Sequence, residues 1–159
     1  MTKHIVARVD EIPLGGRKVV EVAGRSIGVF HIKGSYYAIR NSCPHQGGPL
    51  CQGRLTGLLT ASKPGDYVYT NQGEILRCPW HGWEFDAKTG QSWYNPAQVR
   101  VRSYKVSVET LSSELLPSEV RHRADPAPLD PNTDTHQKGP YVAETYPVTV
   151  EQAYVLIEV

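Results

Sequence analysis

Residues 43–51 read CPHQGGPLC, and residues 78–86 read CPWHGWEFD. Each stretch sets a cysteine near a histidine, with proline and glycine around them. One residue separates Cys43 from His45, and two separate Cys78 from His81. Metal binding asks for side chains that can lose or lack a proton, carried on backbone able to wrap closely round an ion. Glycine permits that approach, and proline narrows the loop's freedom before the metal arrives. Four Cys₂His₂ ligands suit a structural zinc ion. They also suit a two-iron cluster in which one iron takes two thiolates and the other two imidazoles. Zinc fingers usually group cysteines in one knuckle and histidines in another. Here each loop supplies one of each, which favours the two-iron arrangement.

Composition sets the outer limits. A chain of 159 residues is long enough for one domain that buries its own core without disulfides. The net charge of +1 advertises neither nucleic acid nor an anionic membrane as partner. No apolar run is long enough to span a bilayer, and MTKHIVARVDEIPLGG lacks the apolar stretch of a signal peptide. Three cysteines, an odd number, argue against a secreted disulfide framework. The expected location is the cytoplasm.

Around the two loops the pattern is β. KVVEV (18–22), SIGVFHI (26–32) and YYAIR (36–40) are short runs of β-branched and aromatic residues. Ala23-Gly24-Arg25 and Lys33-Gly34-Ser35 separate them, as in an antiparallel meander. EILRC (74–78) and WEFD (83–86) straddle the second loop as another hairpin, and Lys88-Thr89-Gly90 reads as a turn. The best helical candidate, Ser112 to Val120, is short and carries Pro117. Lys63-Pro64-Gly65-Asp66 reads as the turn of a further hairpin at about 57–73. A polar stretch over about 110–140 carries Pro117, Pro126, Pro128, Pro131 and Pro140 and buries little apolar surface. VRSYKVSVE (101–109) is echoed by AETYPVTVE (143–151). The echo is either a duplicated strand or two edge strands sharing one simple pattern. The expectation is a single all-β domain over 1–159 with these two insertions.

C-P-H at Cys43–His45 followed by C-P-W-H-G-W at Cys78–Trp83 resembles the ligand signature of Rieske [2Fe–2S] proteins. It is most similar to the Rieske ferredoxins and Rieske domains of bacterial aromatic-ring oxygenase systems. The likeness runs from the N-terminal meander to about Tyr104 and resumes in the last hairpin. It implies an antiparallel β-sandwich or barrel with a small cluster-binding subdomain made of the two loops. It also implies that Cys43 and Cys78 bind the inner iron, and His45 and His81 the outer, more exposed one. Cys51 stands where no ligand is expected, as a small loop or core residue. The sequence departs from the family pattern in its longer spacing from His45 to Cys78 and in the proline-rich stretch.

A Rieske cluster with both irons fully ligated has no open position for substrate, so the resemblance implies a one-electron carrier. Such a carrier passes electrons from a reductase to a terminal oxygenase or related redox enzyme. After Tyr104 the chain offers no two-histidine, one-carboxylate iron site of the oxygenase kind. It also lacks a Gly-x-Gly-x-x-Gly dinucleotide motif. It is therefore not expected to be an enzyme on its own. The other readings are a fixed small Rieske subunit, as in assimilatory nitrite reductases, a structural zinc module, or a sensor of redox state or iron–sulfur supply. High-potential respiratory members carry an inter-loop disulfide at the positions of Gly48 and Trp80, and hydroxyl donors at those of Trp83 and Phe85. Their absence here implies a low potential.

Nearby residues have their own expectations. Gly47, Gly48 and Gly82 are expected to let the loops fold round a cluster, with amides aimed at its sulfides. Packing is expected for Trp83 and Trp93, with docking held open for Trp80. His4, His31, His122 and His136 lack metal spacing and read as ordinary histidines.

Overall fold

A computed structural model describes residues 2–112 and 151–159. Ser112, the proposed start of a helix, is strand, while the rest of that helix at 113–120, the proline-rich stretch beyond residue 112 and the echo at 143–150 lie outside the described residues, as do His122 and His136. One compact unit gathers residues 1–109 and 154–159. Its strands form three antiparallel sheets.

The central sheet is the predicted meander, β2 (Arg17–Val22), β3 (Arg25–Ile32) and β4 (Ser35–Arg40), closed by the short β8 (Ser103–Tyr104). Both tight turns need left-handed backbone at two successive residues. Ala23 and Gly24 supply φ of 48° and 69°, Lys33 and Gly34 49° and 84°. Turns of that hand match the twist of the strands they join. A second sheet sets β1 (Lys3–Arg8) beside β10 (Glu151–Glu158) and then β9 (Val106–Ser112). The third runs β5 (Arg54–Ala61), β6 (Tyr67–Arg77) and β7 (Glu84–Asp86).

β3 buries both faces, and this divides the interior in two. Ile27 and Val29 join Ala7, Ile12, Ala38, Val155 and Ile157 in one core. Phe30 and Ile32, one residue out of phase, join Leu50, Leu76, Phe85 and Val101 in the other, together with all three cysteines. The period of two thus sends alternate residues of one strand to separate cores.

The β5–β6 hairpin reaches past the third sheet. Thr56 pairs with Ile75 and Leu58 with Thr70, so Gly57 alone stands opposite Asn71–Glu74. The bulge is held by the Gly57 amide donating to Tyr69 Oη at 2.6 Å and by left-handed backbone at Asn71 and Gly73. The distal arm ends in the turn at Lys63–Asp66, at the opposite end of the sheet from Cys78. Leu59, Tyr67 and Tyr69 lie exposed along it.

Glu74, the last residue of the bulge, is buried and bridges Lys33 (2.8 Å) and Lys88 (2.9 Å). It ties the meander's second turn to the segment after β7. Its hydrogen bonds to Lys33 and Lys88 hold the carboxyl below its ordinary range, against the opposing effect of burial. A depressed folded-state pKa contributes stability above the unfolded value, about 4.3, and loses it as pH falls through the folded value. Glu74→Gln is therefore expected to cost about 1–2 kcal/mol near neutral pH, a cost that shrinks as pH falls below about 4. Denaturant midpoints of both proteins across that range check it.

Candidate metal centre

Two loops are built to one plan. In the first, which follows β4, the Cys43 amide donates to Gly48 O (2.9 Å) and the Gly47 amide to Cys43 O (2.7 Å). In the second, between β6 and β7, the Cys78 amide donates to Trp83 O (2.8 Å) and the Gly82 amide to Cys78 O (2.9 Å). The fourth residue after each cysteine is a glycine at positive φ, 77° at Gly47 and 73° at Gly82. A side chain there would be strained, so glycine is what allows each loop to close.

The closure has a consequence for the amides. Those of Gly47 and Gly82 are spent on the carbonyls of Cys43 and Cys78, not free to face sulfide as the sequence suggested. The backbone amides of His45 and Gln46 approach the Cys43 thiol instead. Gly48 is not in the positive-φ region. Its reason for lacking a side chain is steric: a Cβ there would come within 2.9 Å of the Trp80 ring.

The four predicted side chains sort into two pairs. Cys43 and Cys78 are buried, free of disulfide and adjacent. Burial pushes the Cys43 thiol up. The His45 amide pulls it down, and the neighbouring Cys78 thiol raises it again. His45 and His81 are exposed, with ring centroids 4.7 Å apart in an edge-on arrangement. Among the described residues no three His, Cys, Asp or Glu side chains converge on one point, as a single tetrahedral ion would ask. A paired donor set, two thiols on the inside and two imidazoles on the outside, fits a two-iron cluster with two protein ligands per iron.

That pairing agrees with the family comparison: the Rieske [2Fe–2S] domain matches residues 2–105. The chain belongs to the Rieske [2Fe–2S] family. Its cofactor is a [2Fe–2S] cluster. Among the relatives, the ferredoxin component of the naphthalene 1,2-dioxygenase/salicylate 5-hydroxylase systems of a Ralstonia species is 28% identical over 105 residues. That match covers 66% of this chain and 86% of the relative. The ferredoxin component of the alkene monooxygenase system of Xanthobacter autotrophicus is 29% identical, over 72% of this chain and 84% of its own. Among solved structures, the ferredoxin of carbazole 1,9a-dioxygenase from Nocardioides aromaticivorans superposes with a TM-score of 0.51 at 28% identity. It covers 69% of this chain and 91% of that one. Among the described residues of this Rieske protein, no helix is long and apolar enough to cross a membrane.

The aromatic residues part company with expectation at one position. Trp83 is partly buried against the core and stacks on the His45 ring, centroids 4.4 Å apart and planes 11° from parallel. Trp93, expected to pack, is instead 47% exposed. It stands in the irregular segment after β7, where its amide donates to Glu84 O, and with Tyr94 it lines an open cleft beside Trp83. Tyr94, which the sequence did not single out, touches Trp83 with ring centroids 5.0 Å apart. His31 is structural: its Nδ1 contacts Ile12 O at 2.9 Å and its ring stacks on Tyr36.

Cys51 lies apart from the pair, fully buried against β3. Its amide donates to Asn41 Oδ1 (2.7 Å), and burial raises the thiol to about 12. It stays a neutral thiol. A Cβ on Gly28 would meet its sulfur at 2.5 Å. Cys51→Ala should leave the visible absorption of the protein unchanged and cost about 1–2 kcal/mol in denaturant unfolding. Gly28→Ala, by overpacking the same spot, should cost about 1–3 kcal/mol, and Cys51→Ala in the same chain should relieve part of it.

Proposed function

We propose that Cys43 and Cys78 hold the inner iron of the cluster, and His45 and His81 the outer one. The observation that carries this reading is the sorting of the four side chains, thiols together inside and imidazoles together outside. Bound this way, a fully ligated cluster supplies one-electron transfer and leaves no open coordination position for substrate. The chain's own part is to present and to insulate. Leu50, Leu76 and Phe85 wall the thiols with apolar surface, while the imidazoles bring the outer edge to the solvent.

The protein is an electron carrier that takes an electron from a reductase and gives it to a terminal oxygenase or related redox enzyme. The ferredoxin components among its relatives support this assignment. The face that exposes His45 and His81 is where partners dock, through the small, readily released interface usual for electron-transfer encounters. Three buried free thiols suit the reducing cytoplasm. The chain is one Rieske domain over 1–159 with insertions at about 57–73 and 110–140. This is supported by a carbazole dioxygenase ferredoxin that aligns over 91% of its own length but 69% of this one.

The environment of the thiols bears on potential. Phe85 is fully buried in the core that holds Cys43 and Cys78, and Trp83 is engaged with His45. Neither brings a hydroxyl to cluster sulfur. Such donors stabilise the reduced, more negative state, so without them the potential stays low. The purified protein should hold about two irons and two labile sulfides per chain, with a midpoint on the order of −150 mV. Cys43→Ser or Cys78→Ser should abolish assembly, and Phe85→Tyr should raise the midpoint in protein-film voltammetry. Stoichiometric zinc without sulfide would sink the ligand assignment, and a wild-type midpoint well above zero the oxygenase-type role.

A further inference from the structure

The hydrogen bonds that close the two loops close each on itself. Apart from the meeting of the thiols, no hydrogen bond or ion pair joins residues 43–48 to residues 78–83 among the described residues. Besides the edge-on meeting of His45 with His81, two indoles join them, and both come from the second loop. Trp83 lies flat on the imidazole of His45. Trp80 lies on Gly48: a Cβ built there would be 2.9 Å from Cδ2, 3.0 Å from Cγ and 3.2 Å from Cε3 of the indole. Gly48 is buried even though Trp80 itself is 56% exposed.

We propose that Trp80 and Trp83 are positioning residues that clamp the second loop onto the first, Trp80 seated on Gly48 and Trp83 on His45. The inference rests on the ligand assignment above, since what the clamp sets is the separation of the two ligand pairs. Trp83 fixes the plane of one imidazole from one side, and that ring meets His81 nearly at right angles. Trp80 acts at the other end of the first loop, on the residue whose carbonyl receives the Cys43 amide. Holding Gly48 therefore holds that hydrogen bond, and with it the backbone of Cys43. An exposed indole in a ligand loop would otherwise be explained as a docking residue alone. The seat on Gly48 gives it work within the free protein.

The contact can be broken from either side. Gly48 has ordinary backbone, so Gly48→Ala adds only a methyl group against the indole and no left-handed strain. Trp80→Ala removes the partner from an exposed position without opening the core. Trp Cγ stands where a cysteine at 80 would carry its sulfur, so the Gly48→Cys/Trp80→Cys double variant can bridge the loops covalently.

The test is hydrogen–deuterium exchange of the cluster-loaded protein, read in peptides spanning 41–50 and 76–84, beside the rate at which a chelator bleaches the visible absorption. Trp80→Ala and Gly48→Ala should each speed exchange and bleaching by about tenfold, the signature of easier local opening. Trp80→Phe should recover most of the loss. The double cysteine variant should match wild type when oxidised and the alanine variants when reduced. Exchange within twofold of wild type in both Trp80→Ala and Gly48→Ala would overturn the clamp. The same exchange comparison on iron-free protein keeps it independent of the ligand assignment, which a zinc-only, sulfide-free preparation would refute separately.

Discussion

Cys43 and Cys78 lie side by side at the wall of an apolar core, and much of the molecule can be understood as the means of keeping them there. Two thiols so placed in an oxidising or metal-free setting would be poised for a disulfide; in this chain they are free. Burial disfavours the charged form of Cys43, so a thiolate there is stable only with compensating positive charge. In the proposed assignment iron would supply that charge. The amides of His45 and Gln46 give a smaller contribution from the backbone side.

From this constraint the division of the site follows. The sheet of β2, β3, β4 and β8 presents alternate residues of β3 to two cores, and one of these cores receives the cysteines. The loops then turn outward, so the histidines two or three residues later emerge into solvent. The sheltered end limits water at the thiols, and the exposed end offers a short route to a partner. The distal arm of β5 and β6 ends at the far end of its sheet and so extends the hairpin without disturbing either loop. Glu74, between its two lysines, fastens the base of that arm.

Much of this was legible in the sequence because the determinants are local. Gly24 and Gly34 announce their turns because left-handed backbone favours glycine. The proposed ligand residues stand out because metal chemistry restricts both residue type and spacing. What was not legible depends on neighbours brought together by folding. Gly48 looks like its neighbour Gly47, yet one glycine answers to backbone conformation and the other to an indole from a distant loop. Trp83 and Trp93 are the same residue with opposite exposure, decided by whether the core and His45 are within reach. The placement of the Gly47 and Gly82 amides was misread because adjacency to the loop cysteines does not reveal that the loop's own carbonyls claim them first.

The central claim, that buried thiols hold one iron and exposed imidazoles the other, is tested most directly by Mössbauer spectroscopy of the oxidised protein loaded with iron-57. The account predicts two ferric doublets of equal area with different isomer shifts, the larger from the imidazole-ligated iron. Two indistinguishable irons, as all-thiolate ligation would give, or a single mononuclear site would contradict it.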